Sequence, residues 1–274
     1  MKKLFLILIC LSVAVLHAQR KPKIKGNKSV VEVREDLSDF NRIELMDDLE
    51  ISLQKSSEPG YTITADDNLI DILKFEVEDS TLVISAFYTV TAKKKLEISV
   101  RYNELESIRI NQGKISTMST ISADELKLFT AGSSRADLQV SAAVTIVEME
   151  GNSKARLNID SDSLSVLLMD KVDADIYSVS RHKTLEMQDD ALAEIQGTSE
   201  IVDIRLTGSI KLRAQEFEGK NVSLETTDTA SARIRAQNQL KLSSSVNAKV
   251  YLYGEASILI EEFSGNSELY KRPD

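Results

Sequence analysis

Four alanines in the second half of this chain, Ala136, Ala155, Ala174 and Ala193, stand 19 residues apart, and each has an aliphatic residue two positions on. The steps read Ala136-Asp-Leu138, Ala155-Arg-Leu157, Ala174-Asp-Ile176 and Ala193-Glu-Ile195. They continue less regularly as Ile210-Lys-Leu212, Ala232-Arg-Ile234 and Ala248-Lys-Val250. Apolar and polar residues in strict alternation mark a strand with one buried face, and recurrence of that alternation at a longer fixed interval marks a repeated structural unit. A unit of 19 residues cannot bury its own apolar edge. Stacked as parallel strands about 4.8 Å apart, successive units pair every backbone and enclose one continuous core. The fold class is therefore all-β: a parallel β-helix, or β-solenoid, with coils of about 19 residues.

Other positions keep the same beat. Leu128, Val147, Val166, Leu185, Val202, Leu224 and Leu240 form a second inward column, and Gly132-Ser-Ser134, Gly151-Asn-Ser153, Asp189-Asp190 and Asp228-Thr229 supply corners, where Gly and Asp tolerate left-handed backbone. A narrow core of stacked aliphatics accounts for the absence of Trp and for an aromatic content of only 5%. The opening half keeps the alternation, as in Ile43-Glu-Leu45, Ile51-Ser-Leu53 and Leu82-Val-Ile84, but not the period. It reads as an irregular part that caps one end of the stack, because an open end exposes strand edges.

The first residues run Met1-Lys2-Lys3, then almost wholly apolar from Leu4 to Leu16, and close on His17-Ala18. That is the order of a cleavable signal peptide over residues 1–18, and the apolar run is shorter than the roughly 20 residues of a spanning helix. The mature chain is expected to have no transmembrane span and to reside in the periplasm, at the outer-membrane surface or outside the cell. Residues 19–37 read as a mobile basic leader, 38–111 as the irregular part, 112–263 as the regular repeats and 264–274 as a tail. Cys10, the sole cysteine, leaves with the signal peptide, which excludes thiolate catalysis and cysteine-ligated zinc. Without residues 1–18 the chain carries 32 basic and 43 acidic residues, a net of −11, so nucleic acid is not an expected partner.

No motif assembles chemistry. The acid pairs Asp47-Asp48, Asp66-Asp67, Asp160 with Asp162, Asp173 with Asp175 and Asp189-Asp190 lack the ordered loop and closing bidentate acid of a calcium site and read as turns. His182 stands beside Arg181 and Lys183 without an orienting partner, and neither a Gly-x-Ser-x-Gly elbow nor a phosphate loop occurs. Catalytic residues, metal and cofactor are all set at none. The rival reading is a β-helical polysaccharide lyase or hydrolase, which an open groove holding clustered acids with Lys or Arg would favour. Aligning the repeats puts Lys211, Arg233 and Lys249 in one outward column and Arg213 and Arg235 in the next. This basic patch suits an anionic ligand, with an envelope glycan or a surface protein as the expected partner.

Phe40-Asn-Arg-Ile43, Leu49-Glu-Ile51-Ser-Leu53, Ala65-Asp-Asp-Asn-Leu69, Leu82-Val-Ile84 and Leu105-Glu-Ser-Ile108 occur in an order that resembles the head GIN domain family of auto-transporter adhesins. The resemblance covers roughly residues 38 to 254. It implies a right-handed β-helical body and an exported, non-enzymatic surface module of adhesin type, of unestablished biochemical role and with no catalytic residues to carry over. The family's Gly-Ser-Gly corners survive only at Gly132-Ser133-Ser134 and Gly151-Asn152-Ser153, then give way to Asp170-Lys171 and Asp189-Asp190.

Overall fold

The structure is a computed structural model that describes residues 21–273, so the signal-peptide reading of residues 1–18 lies outside the described residues. In chain order the first strands are β1 (Lys23–Lys25), β2 (Val30–Asp36), β3 (Arg42–Leu45), β4 (Glu50–Lys55), β5 (Gly60–Asp66) and β6 (Leu73–Glu78). After them come β7 (Thr81–Ala86), β8 (Thr89–Ala92), β9 (Leu96–Tyr102), β10 (Ser107–Ile110), β11 (Lys114–Thr117) and β12 (Ile121–Thr130). Long bent strands follow: β13 (Arg135–Met149), β14 (Lys154–Leu168), β15 (Asp173–Asp189), β16 (Leu192–Gly208), β17 (Lys211–Thr226) and β18 (Ser231–Ser244). The last rungs are β19 (Lys249–Tyr253), β20 (Ser257–Phe263) and β21 (Glu268–Lys271). They stack in parallel as a β-solenoid of about nine turns.

From β13 to β16 every residue lies over the one 19 positions earlier, as in Ala136, Ala155, Ala174 and Ala193 or Leu138, Leu157, Ile176 and Ile195. Within each coil, inward and outward residues alternate until two successive residues face out, as at Arg181 and His182, and there the coil bends. Inward Ala174, Ile176, Leu185 and Met187 are all buried, and each large aliphatic contributes about 1.5–3 kcal/mol by leaving water. The coil closes at a corner whose backbone is left-handed. Gly132, Gly151, Asp170, Asp189, Gly208, Asp228, Val246 and Gly265 all have φ between 59° and 110°. They are stacked too, since each corner carbonyl accepts from the amide one residue beyond the next corner, as Gly132 O does from Asn152 N at 2.7 Å.

The corner column corrects the alignment of the later repeats. Leu212, not Ile210, lies over Ala193, and Val250, not Ala248, lies over Ala232. The second inward column shifts likewise, with Ile204 and Leu242 in place of Val202 and Leu240. Ile210, Ala230 and Ala248 are buried at the turn, each two positions after its corner. A slip of two residues leaves inward and outward faces unchanged, so apolar alternation cannot register it, whereas counting four residues on from Gly208, Asp228 and Val246 gives Leu212, Ala232 and Val250.

The first rung of the stack is out of sequence order. β3 and β4 form a rung on which β10 and β11 lie on one side and β7 and β9 on the other. Beyond β9 the chain adds β5 and then β2 antiparallel, and beyond β7 it adds β6 antiparallel. Antiparallel strands end the parallel stack, as expected of a cap. Polar anchors hold it: buried Arg101 donates to Asp36 at 2.9 Å and to Thr62. Buried Asp66 accepts from the Lys94 and Lys95 amides, the Lys94 bond foremost in holding its carboxyl below the usual range. The segment read as a mobile leader instead contributes β1, paired with β8, and β2. The segment read as a tail contributes β21, paired with β19.

A lysine lies inside the regular coils. Lys183 occupies an inward position between Leu164 and Val202 and is 3% exposed. Its Nζ donates to Ser178 Oγ and lies 3.8 Å from the centroid of the Phe217 ring. Ser178, Gly197 and Phe217 stack in one column. Gly197, with φ of 104°, would place a Cβ only 2.1 Å from Ser178 O, so this position is closed to any larger residue. Desolvation in this pocket pulls the Lys183 pKa down to about 7.

Three outcomes are expected. Ala174→Lys, which buries an unpaired charge, should lower stability by at least about 3 kcal/mol, while Asp175→Lys on the outer face should cost under about 1 kcal/mol; equal melting temperatures would contradict the register. Lys183 takes up a proton in the unfolded chain between about pH 7 and its ordinary pKa that the folded chain does not hold, so stability should rise with pH across that window and not change through this group below it. Lys183→Met should remove the rise and be the more stable protein at pH 6, read by urea titration at several pH values. Val246, a β-branched residue at φ of 69°, is strained by about 1–2 kcal/mol, and Val246→Asn should raise the melting temperature.

Candidate functional site

The outer face of β17, β18 and β19 carries the five residues of the basic patch. Because Leu212, Ala214, Ala232, Ile234 and Val250 are buried, the residues between them point outward. The columns differ from the sequence alignment by the same slip of two. Lys211, Ser231, Lys249 and Glu268 form one, and Arg213, Arg233, Tyr251 and Tyr270 form the next. Arg235 lies beside Tyr253. All five cations thus share one sheet face, with Arg213 directly beneath Arg233 rather than beside it.

Their surroundings are unequal. Lys249 meets Glu268 at 3.2 Å, a hydrogen bond that raises the Lys249 pKa. Glu268 is lowered first by its bond from Tyr270 and then by Lys249. The Arg233 guanidinium lies 6.0 Å from the Tyr251 ring, Tyr251 stacks on Tyr270 at 5.1 Å, and Arg272 lies 5.3 Å from both rings. Arg235 Nε donates to Gln215 O at 2.9 Å. Lys211 and Arg213 form no ion pair among the described residues. Tyr251, Tyr270 and Arg272 extend the patch; the sequence reading counted only cations there, which left Tyr251 out, and Tyr270 and Arg272 fell in the supposed tail.

Earlier on the same face, ion pairs link some successive coils. Arg156 lies 3.8 Å from Asp137 below and 4.0 Å from Asp175 above, and Lys154 meets Asp173 at 3.0 Å. In that column like charges fall on consecutive rungs twice, first the acids Asp175 and Glu194 and then the cations Arg213 and Arg233, with Glu194 next to Arg213. On the opposite sheet the outward column is Phe129, Glu148, Leu167, Glu186, Arg205, Glu225 and Ser243, with Arg205 and Glu225 paired at 3.1 Å.

The acid pairs have structural partners. Asp47 accepts from Lys21 and from the Ala86 amide, Asp162 pairs with Arg181 at 3.1 Å, and Asp189 is a corner. Among the described residues no group of His, Cys, Asp and Glu is arranged to hold a metal ion. His182 is exposed on the bend. An open cleft of 1030 Å³ where β3, β10 and β12 meet does hold both acids and cations, among them Glu106, Asp124, Glu125, Arg109 and Lys127. These cations are not poised as bases: Glu125 at 2.7 Å keeps the Lys127 pKa raised, and Arg109 lies 4.1 Å from the Phe129 ring. A general base needs a pKa brought down toward neutrality.

Comparison with known proteins bears on the fold and the family. The model of the family described as “Putative auto-transporter adhesin, head GIN domain” matches residues 39–256. A crystal structure of a “putative adhesin” from Parabacteroides merdae is similar at 17% identity and a TM-score of 0.68, over 92% of this chain and 99% of that one. Another, from Parabacteroides distasonis, is similar at 16% identity and a TM-score of 0.70, over 91% and 100%. A “putative lipid binding protein” from Parabacteroides distasonis is similar at 18% identity and a TM-score of 0.62, over 91% and 99%. Likeness at this identity is likeness of fold. No curated protein sequence matches the chain. No helix among the described residues is long and apolar enough to cross a membrane.

Proposed function

Since this chain belongs to the head GIN domain family, we propose that it works as an exported, non-enzymatic module of adhesin type, whose outer β17–β19 face holds an anionic glycan of a cell envelope. The observation that carries the reading is the clustering of cations at this end of the face. Arg213 and Arg233 stack like on like, Arg235 lies on the same strand as Arg233, and Lys211 has no carboxylate partner among the described residues. Stacked cations repel, so this arrangement costs stability that a bound polyanion would return.

The ligand class follows from the geometry. Cations repeated at the spacing of the coils suit a linear polymer with a charge on each unit better than a single small anion. Tyr251 and Tyr270 border the arginines with hydroxyl-bearing rings, able to hydrogen-bond a sugar beside its carboxylate. Exposed charges act over a screening length of about 8 Å at physiological ionic strength, so binding is expected to weaken steadily with added salt.

The test uses residues 19–274 and alginate, a polyuronate. Arg213→Glu, Arg233→Glu and Arg235→Glu combined should weaken binding at least about tenfold, with a melting curve close to that of the unaltered protein. The same incubations, assayed for new chain ends, should show no cleavage. Equal binding by the folded triple variant would return these side chains to the role of solvated decoration, and cleavage would favour a lyase.

A further inference from the structure

Along the bent edge of the solenoid, the cleft of 1030 Å³ and a second of 460 Å³ lie end to end. Ser122 and Ser141 line the first, and Asp160, Val179, Thr198 and Glu218 line the second. Strand pairing joins these six residues in one column, rung on rung. The two clefts therefore form a single trough, about 24 Å long at the spacing of stacked strands. Its floor is low because the neighbouring column never exceeds serine: Ala123, Ala142, Ser161, Ser180, Ser199 and Gly219. The floor hydroxyls are buried and engaged, Ser161 donating to Ala142 O at 2.7 Å and Ser180 to Ser199 at 3.2 Å.

The walls select the ligand by charge. On one side Asp162 and Arg181 pair at 3.1 Å, and Glu200 and Lys220 at 2.9 Å. On the other, Asp160 forms no ion pair among the described residues, and Glu218 accepts only from the amide of Gln237, at 3.0 Å. A polyanion entering the trough meets these two carboxylates. A polycation meets Arg181 and Lys220. A neutral polyhydroxylated chain meets no like charge, and its hydroxyls can donate to Asp160 and Glu218 and exchange hydrogen bonds with Ser141 and Thr198. Val179, 41% exposed at mid-trough, offers an apolar contact to the C–H face of a sugar ring.

We propose that this trough binds an extended neutral glycan, lying along the solenoid axis and spanning several sugar units. The site is separate from the cationic sheet face, and the two would let one module hold two chemically different polymers. Its 460 Å³ part is within the range of formed ligand sites, and its 1030 Å³ part stands at the top of that range. Val179 and Thr198 stand on adjacent rungs facing outward, so arginines there would fill the trough without entering the core.

The test titrates cellohexaose, maltohexaose, chitohexaose and mannohexaose into residues 19–274, with amide spectra recorded alongside. At least one should bind and shift the amides of Ser141, Val179 and Thr198 while leaving those of Arg213 and Arg233 in place. Val179→Arg combined with Thr198→Arg should weaken that binding at least tenfold, and the triple arginine reversal should leave it unchanged. No binding by any of the four, shifts confined to the β17–β19 face, or undiminished binding by the folded trough variant would each overturn the proposal. Should the double variant fail to fold, the map of shifted amides in the unaltered protein decides alone.

Discussion

Backbone pairing from one coil to the next is the interaction on which everything else in this molecule rests. Each strand of a coil is satisfied only by the coils above and below it, so the number of residues per coil has to hold nearly constant or the ladder breaks. The left-handed corner sets that number. Gly132, Gly151, Asp170 and Asp189 turn the chain at the same point of successive coils, each carbonyl accepting from the amide just past the next corner, and the inward columns follow from them. Where the count departs from nineteen, between Glu194 and Gly197 and between Ala214 and Gly219, the ladder shifts register and then recovers by the next corner.

That hierarchy explains how much was legible in the sequence. The period, the parallel stack and the inward column from Ala136 to Ala193 were, because a small residue recurs there at an unbroken interval. The later register was not, because Ile210-Lys-Leu212 repeats the expected pattern two residues early, and a shift of two is invisible to alternation. The patch survived that error as a face, since parity decides which side a residue takes, but its columns did not. Gly208, read as a corner, carries the missing information. The cap was legible as an irregular half and no further: β7 and β9 sit outside β3 and β4 although they follow them in the chain, an order that depends on contacts between distant segments.

Outward positions are free of these constraints, and charge is therefore arranged there by other rules. A residue facing out has neighbours one coil away on both sides, so opposite signs on successive rungs stabilise each other locally, as Asp137, Arg156 and Asp175 do. Ladders of this kind leave little field at a distance. A run of one sign does the reverse. Arg213 and Arg233 put two cations on successive rungs with Glu194 on one side of them, and on the other side Tyr251 and Tyr270 close the column with polarisable rings rather than with acids.

The trough and the cationic face obey different logics within the same stack. The face selects by net charge, which acts at range and is screened by salt, whereas the smaller part of the trough selects by shape and by hydrogen bonds at contact, because its cations Arg181 and Lys220 are already paired. In the same coil as Val179 the core gives up an aliphatic for Lys183, whose Nζ donates to Ser178. A core that carries such a group is less stable than one filled with Leu, yet it stays closed to solvent. The chemistry that meets a ligand is thus confined to side chains whose replacement leaves the ladder intact, and ligand preference can change along the outer columns without altering the fold beneath.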